Sequence, residues 1–147
     1  MKTKLTFLLS LTFLFLFGGS VYGQEEVKKE YWDNGKLESE THYKNGKLEG
    51  LTTLWFENGK KRIEIPYKNG QKDGLETHWN KNGKKQFSQR YNNGYLEGMK
   101  TEWYESGKKK SISHYKNGIE NGFRKEWDEN GKLTFQGNFV DGNEEIK

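Results

Sequence analysis

Gly50-Leu51-Thr52-Thr53-Leu54-Trp55-Phe56-Glu57-Asn58-Gly59-Lys60-Lys61-Arg62-Ile63-Glu64-Ile65-Pro66-Tyr67 reads as two short strands joined at Asn-Gly. That dipeptide between alternating runs is a strong local signal for a β-hairpin. On strict alternation, Leu51, Thr53 and Trp55 share one face of the first strand, and Ile63, Ile65 and Tyr67 share one face of the second. The two sets meet only across a loop with an odd residue count. A three-residue Glu57-Asn58-Gly59 loop satisfies this, as a type I turn followed by a left-handed glycine at Gly59. The next connection, Tyr67-Lys68-Asn69-Gly70-Gln71-Lys72-Asp73-Gly74, is expected to be longer and to lead into another hairpin.

The same text recurs every 24 residues. Tyr43, Tyr67, Tyr91, Tyr115 and Phe139 form one column, and Tyr31, Trp55, Trp79, Trp103 and Trp127 a second. Glycines form three more: Gly35, Gly59, Gly83, Gly107 and Gly131; Gly46, Gly70, Gly94, Gly118 and Gly142; and Gly50, Gly74, Gly98 and Gly122. Columns in register over most of the chain define a repeat protein, in which each unit packs mainly on its neighbours. The expected fold is all-β: a single-layer antiparallel meander, or ribbon, of about five stacked hairpins with the two turn types on opposite edges. Ten strands at ~4.8 Å make a ribbon on the order of 48 Å long. The aromatic columns are its expected core, and the rings are expected to be thinnest where Ser111 and Ser113 replace Ile63 and Ile65.

Composition supports a thin architecture. The 147 residues include no Cys, one Pro, 18 Gly and 22 aromatics (Trp 5, Tyr 8, Phe 9). Thiol chemistry and disulfides are excluded, and so is a lipoprotein anchor on cysteine. Hydrophobic residues make up only 31%, yet the aromatic content is unlike that of a disordered chain. Residues 1–23 combine Lys2 and Lys4 with an apolar run from Leu5 to Phe17 and a small-residue end, Val21-Tyr22-Gly23. They read as a signal peptide cut after Gly23, leaving a repeat domain over 24–147 that is periplasmic or secreted, with no transmembrane span. Loss of Lys2 and Lys4 lowers the net charge from +4 to +2, which argues against a nucleic-acid partner.

The pattern aromatic-x-x-Asn-Gly-Lys followed by aromatic-x-Asn-Gly-x-x-x-Gly resembles the MORN-repeat variant of bacterial proteins. It is clearest at Trp55–Lys60 with Tyr67–Gly74, Trp79–Lys84 with Tyr91–Gly98, and Trp103–Lys108 with Tyr115–Gly122. The resemblance spans 27–147 and implies a ribbon of hairpins used for binding, without catalytic machinery or cofactor. Some chains built from this variant are grouped as antitoxin-like, so it also implies, as an alternative, an immunity protein that neutralises a toxin.

Sites follow from the columns. Lys36, Lys60, Lys84, Lys108 and Lys132 follow the first turn glycine in every unit, thickened by Lys61, Lys85, Lys109, Lys110 and Arg62. Such a ladder suits an anionic envelope surface, lipid or polysaccharide, or an acidic protein; it also serves as a device against edge aggregation. The aromatic columns offer a sugar- or peptide-binding strip as the alternative to a core. Leu54, Phe56 and Tyr104 are expected on the other face as apolar partner contacts. A carbohydrate-active enzyme is the third reading, since Glu49, Asp73 and Glu97 form an acid column at about 10 Å spacing. His42, His78 and His114 are too far apart on a flat ribbon to share a metal and are expected to face solvent.

Overall fold

The computed structural model describes the backbone of residues 6–10 and the chain over 23–146. The expected leader therefore lies outside the described residues except for Thr6–Ser10 and Gly23. Strands follow one another as β1 (Thr6–Ser10), β2 (Glu25–Tyr31), β3 (Leu37–Lys44), β4 (Lys47–Leu48), β5 (Gly50–Trp55), β6 (Lys61–Lys68) and β7 (Gln71–Lys72). They continue as β8 (Gly74–Trp79), β9 (Lys85–Asn92), β10 (Tyr95–Trp103), β11 (Lys109–Lys116), β12 (Ile119–Trp127), β13 (Leu133–Val140) and β14 (Asn143–Glu144). All belong to one antiparallel sheet in chain order, except that the two-residue strands β4 and β7 pair only with β3 and β6, which otherwise adjoin β5 and β8. The all-β meander of stacked hairpins is the observed fold.

The first turn forms as its residues dictate. Gly59 N–H donates to Phe56 O at 2.8 Å, Phe56 N–H donates to Lys60 O at 2.9 Å, and Gly59 has φ +87°. Glu57-Asn58-Gly59 is thus the three-residue loop that parity demands. Asn58 Oδ1 accepts from Lys60 N–H at 3.0 Å and closes it.

Parity fails one residue further on. Trp55 pairs with Lys61, but a bulge between Leu54 and Trp55 places Leu54 opposite Ile63 and Thr52 opposite Ile65. Directly paired residues share a face. Leu54 therefore stands with Ile63, Ile65 and Tyr67, whereas Leu51 and Thr53 stand with Pro66 and Glu64 on the opposite face. The expected grouping of Leu51 and Thr53 with the isoleucines is corrected. So is the expected place of Leu54, which is on the tyrosine face.

The second connection is also tighter than expected. Asn69 (φ +52°) and Gly70 (φ +86°) form a two-residue turn with both residues left-handed, and Lys68 pairs with Gln71 across it. This is the geometry in which asparagine and glycine are favoured together. What looked like a long connection is this turn plus a strand irregularity. β6 pairs with β7 as Tyr67↔Lys72, then with β8 as Ile63↔His78, so two extra residues are accommodated around Asp73-Gly74. Gly74 takes φ +120°, and a Cβ there would lie 2.7 Å from Pro66 Cγ.

No hydrophobic side chain among the described residues is buried. The buried residues are Ser39, Thr53, Glu76, Thr77, Ser88 and Ser113, all at mid-strand. The Trp and Tyr columns, expected as a buried core, are only half-buried throughout. The reason is geometric: one repeat advances two strand spacings, about 10 Å, which is too far for rings to stack from unit to unit, and no second layer covers them. Ring pairs form instead between adjacent strands, His78 lying 3.9 Å from Phe87 and His114 6.2 Å from Phe123 centroid to centroid, and along one strand, Phe135 lying 6.2 Å from Phe139.

Gly74→Ala should destabilise the fold by about 2 kcal/mol or more, through left-handed strain and the Pro66 ring together. Gly46→Ala, with φ +74° but nothing within 4 Å of the new methyl, should cost about 1 kcal/mol from backbone strain alone. Urea unfolding of the two variants checks the difference, and Pro66→Ala should recover part of the Gly74→Ala loss only.

Candidate functional surfaces

Each edge of the ribbon is a ladder of turns bonded to the next turn. On the lysine edge, Lys60 Nζ donates to Asn82 O at 2.9 Å, Lys84 Nζ to Ser106 O at 2.9 Å and Lys108 Nζ to Glu129 O at 3.0 Å. Lys36 Nζ reaches Asn58 O at 3.3 Å, and Asn58 Nδ2 donates to Lys81 O at 2.9 Å. The ladder lysines thus staple neighbouring repeats while remaining exposed. Each bonded ammonium keeps two further donors and its charge for a ligand. Lys132, at the end of the column, has no following turn to reach among the described residues.

The acid column has a matching role on the opposite edge. Glu49 Oε2 accepts from Asn69 N–H at 2.6 Å, Asp73 Oδ2 from Asn93 N–H at 3.2 Å and Glu97 Oε2 from Asn117 N–H at 2.8 Å. Each carboxylate is a cap on the next turn. The histidines are likewise engaged locally and are not merely solvent-facing. His42 Nδ1 lies 2.7 Å from Leu51 O, His114 Nδ1 lies 3.0 Å from Asn121 O, and His78 Nε2 lies 2.6 Å from Glu76 Oε1. Among the described residues, no group of three His, Asp or Glu could hold a metal ion.

The tyrosine face is polar between its rings. Glu76, 4% exposed, receives Lys72 Nζ at 2.7 Å and Gln89 Nε2 at 3.4 Å as well as His78. Burial pushes its carboxyl up, but these hydrogen bonds outweigh burial and hold it below the usual carboxylate range. Lys72 also lies 4.8 Å over the Tyr91 ring. Further along, a groove of about 400 Å³ opens where Ser111 and Ser113 stand, at the predicted thin spot. Tyr104, Tyr115 and Trp127 line it beside charged side chains.

The opposite face carries what the sequence reading missed. Leu51, Leu75, Met99 and Phe123 occupy one repeat slot and are 41%, 46%, 54% and 41% exposed. The register puts them on the face away from the tyrosines, paired with Pro66, Arg90, His114 and Asn138. Tyr95 and Ile119 are exposed on the same face, four residues before Met99 and Phe123. Their period of 24 is visible in the sequence, but only Leu51 is read from it, and strict alternation puts Leu51 on the isoleucine face. Phe56 and Tyr104, expected as partner contacts, sit by the first turns, where Tyr104 OH donates to Trp127 O at 2.7 Å.

Comparison with protein families matches the MORN repeat variant at residues 27–45, 48–69, 96–117 and 120–141, together more than half of the chain. The chain belongs to the MORN repeat variant family. MORN repeats are generally protein- or membrane-interaction modules, and the family is typically non-catalytic. The unmatched stretch between 69 and 96 folds as the other MORN units do, with β8 and β9 in the same pairing. No curated protein matches the chain.

Removing a staple should be felt only where a next turn exists. Lys60→Met is expected to cost about 0.5–1 kcal/mol through the lost bond to Asn82 O, and Lys132→Met close to nothing. Thermal melts of the two single variants measure this; equal effects would deny the lysines a structural role.

Proposed function

We propose that this chain is an exported, non-catalytic repeat module that binds a partner protein through the apolar stripe opposite the tyrosines. The observation that carries the reading is the column Leu51, Leu75, Met99 and Phe123, joined by Tyr95 and Ile119, exposed on one face of a rigid sheet. Exposed apolar groups repeated along one face in this way, with Pro66, Arg90 and His114 between them, suit an interaction site. One face of a single-layer sheet offers such groups at regular steps, which suits an extended partner. The lysine ladder adds a line of positive charge that steers an acidic partner or an anionic envelope surface toward the edge. Export is supported by the basic start, apolar run and Val21-Tyr22-Gly23 end of the leader. The antitoxin-like reading is the narrower case in which the partner is a toxin.

Leu75→Glu/Met99→Glu places charge at two exposed positions and should leave the melt unchanged. In affinity capture from the native envelope it should lose the partner protein, with binding weakened at least tenfold, about 1.4 kcal/mol. The quintuple Gln variant of Lys36, Lys60, Lys84, Lys108 and Lys132 should retain the partner and flatten the salt dependence of its capture. The reverse result, a partner kept by the stripe variant and lost with the lysines, would move the binding site to the edge. N-terminal sequencing of exported protein should begin at Gln24; a chain retained in the membrane from Met1 would refute export.

A further inference from the structure

The groove over Ser111 and Ser113 is a break in the repeat with its own chemistry. Its two serines stand in slots held by Ile63 and Ile65, by Phe87 and Gln89, and by Phe135 and Gly137 in other units. Two hydroxymethyl groups, where the second unit has Ile63 and Ile65 and the third Phe87 and Gln89, leave about 400 Å³ open on the tyrosine face. That lies at the lower end of small-ligand sites, about 300–1,000 Å³. The floor is firm, since Ser113 is 7% exposed at the centre of β11. Rings stand around it at Tyr104, Tyr115 and Trp127.

Two of the cations lining the groove, Lys100 and Arg124, are paired with carboxylates, and the third, Lys110, lies 5.9 Å over the Tyr104 ring. Lys100 Nζ lies 2.7 Å from Glu102 Oε1, and Arg124 Nε donates to Glu126 Oε1 at 2.7 Å. Arg124 Nη1 lies 3.6 Å from Glu120 Oε2. The bond from Lys100 holds the Glu102 carboxyl below its ordinary range, and Lys100 is raised despite burial, so that pair stays ionised at neutral pH. An ion seated between the Lys100–Glu102 and Arg124–Glu126 pairs would have to displace one of these partners. A neutral molecule would not.

One acceptor is left over. Glu120 Oε1 is buried and has no hydrogen-bond partner, although its other oxygen faces Arg124. A buried acceptor of this kind is costly to leave unpaired, and Glu120 is one of the residues that line the groove. A hydroxyl group satisfies it, and the serine hydroxyls offer further donors and acceptors nearby.

We propose that the groove lined by Ser111, Ser113, Tyr115, Glu120, Arg124 and Trp127 is a binding site for a short neutral saccharide. Its hydroxyls donate to Glu120 Oε1 and exchange hydrogen bonds with Ser111 and Ser113. Its apolar ring face lies against Trp127 or a tyrosine, an arrangement that uses the aromatic surface without requiring charge. No bond of the sugar is broken: the carboxylates are engaged by Lys100 and Arg124, and the site binds without turning over.

The test titrates the full chain with cellobiose, maltose and N,N′-diacetylchitobiose, followed by tryptophan fluorescence and by two-dimensional NMR. At least one probe should bind with a dissociation constant of about 1 mM or tighter. Its shift changes should centre on Ser111, Ser113, Tyr115 and the Trp127 indole. Ser111→Ile/Ser113→Ile rebuilds the side chains of the second repeat, should melt no lower than the parent, and should weaken that probe at least tenfold. The mapping on the parent chain decides the matter even if the variant folds poorly. Absence of shift changes at the groove with all three sugars would overturn the proposal. So would unchanged binding by a folded, filled variant, or tighter binding of glucuronate or an acidic peptide in the same groove.

Discussion

Turn-to-turn hydrogen bonding is the constraint on which this architecture depends. A single-layer sheet has no second layer to bury its rings, and among the described residues no apolar side chain is buried. Cohesion must then come from the strand ladders and from whatever locks one hairpin to the next. At the asparagine-glycine edge, Gly70 N–H donates to Leu48 O at 2.8 Å, Gly94 N–H to Lys72 O at 2.8 Å and Gly118 N–H to Leu96 O at 2.9 Å. The carboxylates of Glu49, Asp73 and Glu97 take the adjacent asparagine amides. At the other edge the lysine ammoniums do the corresponding work. Each bond is worth only about 0.5–1.5 kcal/mol net, but one set recurs at every interface of a nearest-neighbour array.

Fastening the units at their edges leaves both faces open for use. On the tyrosine face, cations lie over rings: Lys28 is 4.9 Å from the Tyr43 centroid, Lys72 4.8 Å from Tyr91 and Arg124 5.7 Å from Phe139. These contacts cover aromatic surface with long polar side chains in place of a packed layer. On the other face the apolar stripe stays exposed, with only the His114 ring against Phe123. The two faces of one sheet thus differ in chemistry, one polar with a local groove and the other a line of exposed apolar groups. A binding module can address two partners on that basis.

Much of the fold was legible because glycine and asparagine fall where the backbone turns left-handed. The Glu57-Asn58-Gly59 loop followed from parity and from the glycine that ends it. Parity then misled, since the bulge at Leu54 and Trp55 lies in β-capable sequence and carries no glycine to announce it. The error moved Leu54 to the wrong face and concealed the stripe formed by Leu51, Leu75, Met99 and Phe123. Asn69-Gly70 was read as part of a long connection because Asp73-Gly74 follows so closely; the two glycines serve a turn and a strand irregularity in succession. The thin spot at Ser111 and Ser113 was readable from slot comparison alone, and the groove lies there. The lysine staples were not readable, because their acceptors are main-chain carbonyls of the next unit and leave no mark in residue type.

The central claim is that exposed turns are held by bonds to neighbouring turns. Amide hydrogen exchange measured residue by residue tests it most directly. The account predicts that the turn amides of Asn69, Gly70, Asn93, Gly94, Asn117 and Gly118 exchange as slowly as mid-strand amides, although they lie at the solvent edge. Glu97→Gln should speed exchange at Asn117 while leaving Asn69 as it was. Turn amides that exchange at the rate of an unstructured chain, with the strands still protected, would contradict the account.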